Sequence, residues 1–517
     1  MLTLLLTLVH WLAIPVRAES TWPASPFITS GRWIANANGA NFAYAGVNWP
    51  AAGEVMIPEG LQYQSIETIV AKVKSLGMNA IRLTYAIEMI DQIYDHNGSD
   101  ILLEKAFIDA LGQRNGSEAY QAVVTQNPSF GPQTTRLQVS FSPTGTPSHQ
   151  TEQEVYLDNH VSKAKWCCTP LDGNAWWGDQ YFSTANWTRG LSYMADHGKK
   201  WPSLTSMSLR NELRQPLLNI TLYKDTYNWE YWYARAKEGA DAVHKANPNV
   251  LVFLSGIDSD TILTPVVEGT SLPPGTGKFT RADFSGYQDK IVLELHNYQN
   301  QADNCTALQA DLLKAGFEAL VDGATNQFPL AMTEFGFAQD NDTWKGVYAA
   351  CLGKFLPDQK ASWFIWVLSG SYYIREGTQD YDEPWGLLTH DWSAWRSPGF
   401  VERGLIPMVN ATLSALPAIN QTKSSPGPSS GDTDKKSSGP PAYTAWSLSR
   451  LCCTASLLNN FDYAARCPTP VGWQHLHLSL HVSGPVIPVF GKTWRVNNFG
   501  STSLQAGRTY CEDRHDV

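Results

Sequence analysis

Eight short runs of apolar, β-branched or aromatic residues recur between residues 42 and 368, and turn residues and amphipathic stretches separate them. This alternation is typical of βα units that build a parallel sheet. Eight such units fit an α/β fold of the (β/α)8 TIM-barrel type, whose active sites lie at the carboxyl ends of the strands. The predicted strands cover residues 42–48, 80–85, 154–160, 206–212, 250–256, 291–298, 329–337 and 361–368.

The stretches between the runs predict helices, and one stretch is unusually long. Helical periodicity covers residues 65–76 and 229–246, which precede the second and fifth predicted strands. Residues 86–152 exceed an ordinary crossover helix, so we expect an elaborated loop over the active face there. A second loop is expected at residues 371–390, and loops of this kind shape the substrate specificity of a barrel.

The two ends of the chain differ in composition from the predicted barrel domain, which we place at residues 19–416. Residues 1–18 form an apolar run that ends on a small residue, which predicts a cleaved signal peptide, with a membrane anchor as the alternative. Residues 417–441 are rich in Ser, Pro, Gly and charge, which predicts a disordered linker. Residues 442–517 form a cysteine-containing tail of uncertain fold, in which the alternation at residues 475–481 indicates a strand more simply than a metal site.

Cysteines and glycosylation motifs indicate a secreted, extracellular glycoprotein. The eight cysteines are compatible with disulfides, which form in oxidising compartments. The sequence does not fix their pairing, but we expect Cys305 to bond to Cys351, since neither lies beside a candidate catalytic residue. A zinc site at Cys167 and Cys168 would need adjacent ligands instead of the usual separated pairs, which disfavours it. The Asn-x-Ser/Thr acceptors are Asn97, Asn115, Asn186, Asn219, Asn304, Asn341, Asn410 and Asn420.

The charge balance argues against nucleic acid as a partner. The chain has a formal net charge of -10, and its Lys and Arg residues are scattered along the sequence. A nucleic-acid interface needs a basic patch or stripe. After the signal segment no stretch is long and apolar enough to span a bilayer. We therefore expect a monomer with no nucleic-acid or membrane partner and a neutral or weakly charged substrate.

Aromatic residues are abundant, with 20 Trp and 21 Tyr. Flat aromatic faces suit core packing and also stacking on the C–H faces of sugars. The pairs Trp176–Trp177 and Tyr372–Tyr373 are therefore candidate platforms in the outer part of a sugar cleft. Plain core packing is an equally good interpretation of both pairs.

Two glutamates lie at positions where the strands of a barrel place catalytic side chains. Glu212 ends the fourth run, and Glu334 lies in the seventh. A closed barrel brings the carboxyl ends of its strands into one cleft, so we expect the two carboxyl groups to meet. Retaining cleavage of a glycosidic bond needs two carboxyl groups about 5 Å apart, one protonated and one ionised. We predict Glu334 as nucleophile and Glu212 as general acid/base, although either alone would more simply be a helix cap or a surface ion-pair residue.

Polar residues near other strand ends strengthen this interpretation. Asn211 can donate its amide to a sugar 2-hydroxyl, a hydrogen bond that strengthens in the transition state. Arg82 favours the ionised form of the nucleophile, because a nearby guanidinium stabilises a carboxylate. Tyr298 can donate its hydroxyl to the same carboxylate.

Three more residues complete the candidate site. His160 and His296 close the third and sixth runs, where neutral imidazoles can orient sugar hydroxyls or the acid/base. Trp366, in the eighth run, offers a flat wall for the sugar beside the scissile bond. Taken singly, each histidine is more simply an ordinary polar residue, and Trp366 a core residue.

Taken in chain order, these residues resemble glycoside hydrolase family 5, the cellulase family, over residues 25–416. The resemblance implies a (β/α)8 barrel, a double displacement with retention, and no metal or organic cofactor. It also implies a β-linked glycan as substrate, with β-1,4-glucan as the default and mannans or other β-glucans as alternatives. All eight signature positions are filled, by Arg82, His160, Asn211, Glu212, His296, Tyr298, Glu334 and Trp366.

Three longer stretches, residues 48–50, 208–214 and 370–377, are similar to a subgroup of this family. In that subgroup a lectin-like β-trefoil often follows the barrel. The tail at residues 442–517 departs from this pattern, because it is too short for the three repeats of a full trefoil.

Three rival functions remain open. A transglycosylase would pass the glycosyl group to a sugar hydroxyl instead of water, using the same residues. A catalytically silent sugar-binding barrel would keep the cleft, although the intact pair of glutamates disfavours it. A metal-dependent hydrolase using His160 and His296 would lose activity with a chelator, but no further His or Asp stands at the strand ends as a metal cage requires.

Overall fold

The computed structural model describes residues 25–145 and 153–416, together with the backbone of two short strands near the C-terminus. Residues 25–416 belong to one compact unit, and the two short strands belong to a second unit, Asn420–Glu512. These strands, Ala464–Cys467 (β14) and Gln474–His477 (β15), form an antiparallel pair. The second of them covers part of the alternating run predicted as a strand. The predicted signal peptide and linker lie outside the described residues.

Eight parallel strands close into a barrel, as predicted, and every residue in them is buried. Helices cover the outer face and side chains fill the interior, so such strands are apolar over most of their length. Each barrel strand overlaps one of the eight predicted runs. They are Ala45–Trp49 (β4), Ala80–Ala86 (β5), Glu154–Val161 (β6), Leu204–Ser208 (β7), Leu251–Ser255 (β8), Ile291–His296 (β9), Leu330–Glu334 (β10) and Ser362–Ile365 (β11).

Five α-helices of the described part begin after a residue whose side chain caps them. Ser65 caps the first helix by accepting a hydrogen bond from the backbone N–H of Thr68 at 3.2 Å, and Asn228 caps the helix that matches the prediction at residues 229–246. None of the helices in the described ranges combines the length and apolarity needed to cross a membrane. The α-helices are Ile66–Ser75 (α1), Ile87–Asp95 (α2), Leu103–Leu111 (α3), Gln113–Gln126 (α4), Arg136–Gly145 (α5), Thr184–Gly198 (α6), Ile220–Thr226 (α7), Trp229–Ala246 (α8), Thr264–Glu268 (α9), Cys305–Ala315 (α10), Val347–Asp358 (α11), Pro398–Phe400 (α12) and Ile406–Ser414 (α13).

The long segment after β5 is elaborated, as predicted, but it consists mainly of helices α2 to α5 instead of an irregular loop. Leu103, Phe107 and Leu111 recur every four residues in α3 and are all buried, which is the apolar stripe of an amphipathic helix. The stripe packs near a hairpin of strands Ser371–Arg375 (β12) and Thr378–Asp382 (β13), where the rings of Phe107 and Tyr373 meet edge to face. This hairpin forms the first part of the second predicted loop, residues 371–390. The helical segment after β5 therefore packs against that loop.

The interior of the barrel changes from apolar to ionisable along its axis. A small sheet of strands Ile28–Ser30 (β1), Trp33–Ala35 (β2) and Asn41–Phe42 (β3) contributes to an apolar cluster with the first residues of the barrel strands. Side chains two apart on a strand share a face, so Tyr156, Asp158 and His160 of β6 all point inward. Tyr156 lies in the apolar cluster, whereas His160 lines a cavity at the other end. The barrel thus delivers its polar side chains to the carboxyl ends of its strands.

Candidate active site

Glu334 is the last residue of β10, and Glu212 lies four residues beyond the end of β7. The prediction that Glu212 ends its strand is therefore wrong, since the strand stops at Ser208. The backbone of Glu212 is left-handed, with φ of 48°, which is uncommon for a residue with a side chain. Its N–H donates to Asp260 Oδ2 at 2.7 Å, and Arg214 donates to its carbonyl oxygen at 2.6 Å. These two contacts hold the unusual conformation in place.

The two glutamates meet in the same cavity. One carboxyl oxygen of Glu212, one of Glu334 and a ring nitrogen of His296 all lie within 4.8 Å of one another. Both side chains are buried, with 6% and 3% of their surface exposed. Retaining glycosidases hold their two carboxyl groups about 5 to 5.5 Å apart, and inverting enzymes about 6.5 to 9.5 Å. Oxygens of the two groups within 4.8 Å of each other fit the shorter spacing, which is that of the retaining class.

Arg82 connects the nucleophile candidate to its surroundings. It lies third in β5 instead of at the strand end, and it is fully buried. Its guanidinium donates to Glu334 Oε1 at 2.6 Å, to Asn48 Oδ1 at 2.8 Å and to Asn211 Oδ1 at 2.9 Å. Asp158 Oδ1 lies 3.0 Å from the same group. Burial lowers the pKa of Arg82, but the charges of Asp158 and Glu334 oppose it and the pKa is raised well above its usual value.

Tyr298 holds the second oxygen of Glu334. Its hydroxyl donates to Glu334 Oε2 at 2.9 Å. Burial, and then the charge of Glu334, raise the pKa of Tyr298 well above its usual value, so the phenol keeps its proton. Each carboxyl oxygen of Glu334 thus accepts from one donor, which fixes the orientation of the group.

We expect the substitution Tyr298→Phe to lower kcat roughly 10- to 100-fold, because a hydrogen bond to a charged group is worth about 1.5 to 3 kcal/mol. Steady-state kinetics of the full chain measures this change. The matched control is Tyr348→Phe, since the Tyr348 hydroxyl donates to the carbonyl oxygen of Asn297 and not to a carboxylate. A Tyr298→Phe enzyme as active as wild type would show that this hydroxyl has no part in the reaction.

His296 closes β9 and lies between the acidic groups. Its Nδ1 is 3.1 Å from Glu212 Oε1 and 3.7 Å from Glu334 Oε2, and its Nε2 is 3.8 Å from Asp260 Oδ2. Burial lowers the pKa of His296 to about 4, against the opposing effect of the Glu334 charge. The imidazole is therefore neutral above pH 5, and it orients Glu212 without adding a positive charge.

This lowered pKa makes the free energy of unfolding depend on pH. As pH falls from 6.5 to 4, His296 takes up a proton in the unfolded chain but not in the native state. We therefore expect this residue alone to remove about 3 kcal/mol of stability over that range and little more below it. Urea unfolding of wild type and His296→Gln at pH 7, 5.5 and 4 measures the difference. Identical pH slopes for the two proteins would contradict the assignment.

His160 and Trp366 form a wall of the cavity. Trp366 follows directly after the last residue of β11, not within the strand as predicted, and its ring stacks on His160 with centroids 5.6 Å apart. His160 Nδ1 is held by Asp158 Oδ2 at 2.6 Å. The buried indole N–H of Trp366 has no hydrogen-bond partner among the described residues. A bound hydroxyl group is a suitable acceptor for it.

The cavity is open to solvent and spans about 280 Å³, and it shares His160, Trp166, Cys167 and Trp366 with a neighbouring cavity that spans about 370 Å³. The second cavity extends past Trp166 to Glu54 and Tyr372. Of the predicted aromatic platforms, Trp176 and Trp177 are fully buried core residues, whereas Tyr372 lines the second cavity. The first cavity is lined by His160, Trp166, Cys167, Cys168, Asn211, Glu212, Glu334 and Trp366.

The structure brings all eight predicted residues into one group around this cavity. Sequence reasoning missed four supporting residues, Asn48, Asp158, Trp166 and Asp260. Asp158 had a usable signal, because it lies two residues before His160 and shares its strand face. Asp260 had none, since it follows β8 in a loop whose course depends on the whole fold.

Two disulfides are present in the described ranges. Cys305 bonds to Cys351, as expected from the sequence. Cys167 bonds to its neighbour Cys168, and both line the catalytic cavity. This second bond is not among those expected from the sequence.

Comparison with known proteins agrees with the geometry. Residues 151–371 match the model of the cellulase family, glycosyl hydrolase family 5. A "Glycosyl hydrolase 5 family protein" of Chamaecyparis obtusa is 34% identical over 403 residues, which are 73% of this chain and 65% of the relative. An "Endoglucanase" of Paenibacillus polymyxa is 20% identical over 424 residues, 78% of this chain and 92% of that protein. Residues 151–371 of the barrel are thus similar to glycosyl hydrolase family 5, and the likeness to the Chamaecyparis obtusa relative extends over most of this chain.

A solved structure shares the fold. The endocellulase of Pyrococcus horikoshii, crystallised as a variant in complex with cellotetraose, superposes with a TM-score of 0.50 at 15% identity. The match covers 75% of this chain and 98% of that structure. The chain spans 65% of the length of the Chamaecyparis obtusa relative, so part of that protein has no counterpart in the alignment.

Proposed function

We propose that this protein is a retaining glycoside hydrolase that cleaves β-linked glucans in the manner of an endoglucanase. The observation that carries the proposal is the pair of buried carboxyl groups, Glu212 and Glu334, with oxygens within 4.8 Å in an open cavity. The different surroundings of the two groups assign their roles. Glu334 accepts from Arg82 and Tyr298, and Glu212 lies beside the neutral ring of His296.

In the first step Glu334 attacks the anomeric carbon, and Glu212 donates its proton to the departing glycosidic oxygen. The bond to the leaving sugar breaks as an ester to Glu334 forms. Arg82 and Tyr298 fix the attacking carboxylate, so little reorganisation is needed as its charge moves into the new bond. Asn211, held by Arg82, is placed to bind the 2-hydroxyl of the same sugar.

In the second step Glu212, now ionised, takes a proton from a water molecule. The water attacks the anomeric carbon of the glycosyl ester from the face that the leaving group vacated. Glu334 departs as a carboxylate, and Glu212 is again protonated. Two inversions at one carbon leave the configuration unchanged. The same residue must therefore act first as acid and then as base.

The nature of the substrate follows from the relatives by analogy. Similarity to an endoglucanase, and to the fold of an endocellulase crystallised with cellotetraose, favours β-1,4-glucan as the first substrate to test. The continuous pair of cavities supports an oligosaccharide as the ligand. We also propose, from the sequence motifs, that the protein is secreted, N-glycosylated and monomeric.

The test is a panel of β-1,4-, β-1,3- and mixed-linkage glucans and mannan, incubated with the full chain and with its Glu334→Gln variant. We expect release of reducing ends from a β-glucan by wild type only. Activity that survives the variant, or that disappears after treatment with a chelator, would contradict the mechanism. Treatment with a chelator is included because Glu212, His296 and Glu334 are also spaced to hold a cation. A sugar acceptor added to the same reactions separates hydrolysis from transglycosylation.

A further inference from the structure

The bonded pair Cys167–Cys168 has no part in the mechanism above, yet it lies in the catalytic cavity. Both residues line the cavity together with Glu212, Glu334 and Trp366. They are largely buried, with 6% and 8% of their surface exposed. A disulfide whose only role was to tie the chain together would have no reason to form a wall of the reaction cavity.

The side chain of Asn211 connects this disulfide to the reaction centre. Its amide nitrogen lies 3.7 Å from Cys168 Sγ and 3.9 Å from Cys167 Sγ. Its carbonyl oxygen accepts from Arg82. Sulfur is a weak hydrogen-bond acceptor, so it orients the amide group without competing strongly with a sugar hydroxyl.

A disulfide can supply the apolar surface that a sugar-binding cavity needs beside its polar groups. A sugar ring presents hydroxyl groups at its edge and C–H groups on its faces, so a site needs both polar groups and apolar surface. Paired sulfur atoms are uncharged and polarisable, and they make favourable contacts with apolar groups. Reduction would replace this surface with two thiols, and one oxygen of Glu212 lies within 4.8 Å of both sulfur atoms. Each S–H would then be a donor near the acid/base carboxyl group.

We propose that the Cys167–Cys168 disulfide is a substrate-binding surface of the catalytic cavity, which contacts the sugar and positions Asn211. This inference rests on the proposed function, because the ligand is the β-glucan of that reaction. Reduction breaks the S–S bond and yields two thiols. A dithiol supplies two electrons and two protons and becomes a disulfide, whereas a phosphine supplies two electrons and becomes a phosphine oxide, with its oxygen and the two protons of the thiols coming from water. Affinity for the glucan therefore depends on the oxidised state of this pair.

The kinetic test compares two double variants of the full chain, Cys167→Ala/Cys168→Ala and Cys305→Ala/Cys351→Ala. We expect the first variant to raise KM for a β-glucan oligosaccharide about tenfold, because one well-placed contact with the sugar is lost. We expect the second variant to leave KM within about twofold of wild type. Thermal unfolding of both variants reports any general loss of structure. Equal KM values for the first variant and wild type, or equal rises in both variants, would overturn the proposal.

The redox test changes the oxidation state of the Cys167–Cys168 pair without replacing either cysteine, and it needs no turnover. Calorimetry measures the binding of cellotetraose to the Glu334→Gln protein before and after treatment with a phosphine reductant. We expect reduction to weaken binding about tenfold, by the loss of the same contact, and reoxidation to restore it. Sensitivity to the reductant should disappear in the Cys167→Ala/Cys168→Ala background and persist in the Cys305→Ala/Cys351→Ala background. Any other pattern contradicts the proposal, whereas an oxidised wild type that binds but hydrolyses no β-glucan contradicts the proposed function alone.

Discussion

Replacing Glu334 by Gln is expected to lower kcat on a β-glucan by roughly 10⁴-fold or more, because the first displacement loses its nucleophile. The amide has nearly the shape of the carboxyl group, but it has no ionised oxygen to attack the anomeric carbon. Arg82 keeps a second counter-ion in Asp158, 3.0 Å away, so the buried guanidinium is not left unpaired. We therefore expect a folded protein that binds substrate and does not turn it over.

The matched control for this substitution is Glu383→Gln. Glu383 is also a buried carboxylate paired with an arginine, Arg375, at 2.7 Å, but it lies outside the catalytic cavity. Removal of its charge tests whether the loss of any buried ion pair lowers activity. We expect Glu383→Gln to lower the unfolding temperature and to keep kcat within about tenfold of wild type. A Glu334→Gln enzyme with comparable kcat would exclude Glu334 as nucleophile.

Replacing Glu212 by Gln is expected to have an effect that depends on the leaving group. Cleavage of a glucan, whose departing alkoxide is a strong base, should slow by roughly 10²- to 10⁴-fold, the usual contribution of general acid–base catalysis. A dinitrophenyl β-glycoside needs no protonation to depart, so its first step should survive the change. The ester on Glu334 then accumulates, because no base activates water for the second step.

Rapid mixing of Glu212→Gln with the aryl glycoside should show a burst of phenol close to one equivalent per enzyme, followed by slow turnover. Glu230→Gln, a change on the outer helix α8, is the control and should show wild-type kinetics. A first step slowed equally on the glucan and on the aryl glycoside, with no burst of phenol, would show that Glu212 is not the acid.

Azide separates the two roles in a single experiment. In Glu334→Gly, azide can occupy the space of the missing carboxylate and attack opposite the leaving group, so the glycosyl azide should have inverted configuration. In Glu212→Gly, the ester on Glu334 still forms and azide attacks it, so the configuration should be retained. Retained configuration from Glu334→Gly and inverted configuration from Glu212→Gly would exchange the assigned roles of the two glutamates.

The elements that depend on local physics could be predicted from the sequence. Helix α8 begins at Trp229 and ends at Ala246, as the apolar spacing predicts, and Asn228 supplies its cap. The eight buried strands followed from short apolar runs, because both faces of such a strand are covered. The two glutamates were found because barrel closure brings strand ends together whatever the loops do.

The course of the chain beyond the strands could not be predicted in this way. Residues 206–212 have the composition of one strand, but the strand ends at Ser208, and the N–H of Glu212 donates to Asp260, a residue 48 positions later. The left-handed backbone at Glu212 is a consequence of that tertiary contact. The bond between Cys167 and Cys168 joins neighbours in the sequence, but its place beside Asn211 depends in the same way on the tertiary course of the chain.

The configuration of the first product tests the central claim most directly. Wild-type protein is mixed with a β-linked oligosaccharide, and proton NMR follows the anomeric signals before mutarotation equilibrates them. The account predicts that the β anomer appears first and the α anomer later, at the rate of spontaneous mutarotation. Initial release of the α anomer would contradict it, because a single displacement would then be the mechanism and Glu334 could not be the nucleophile.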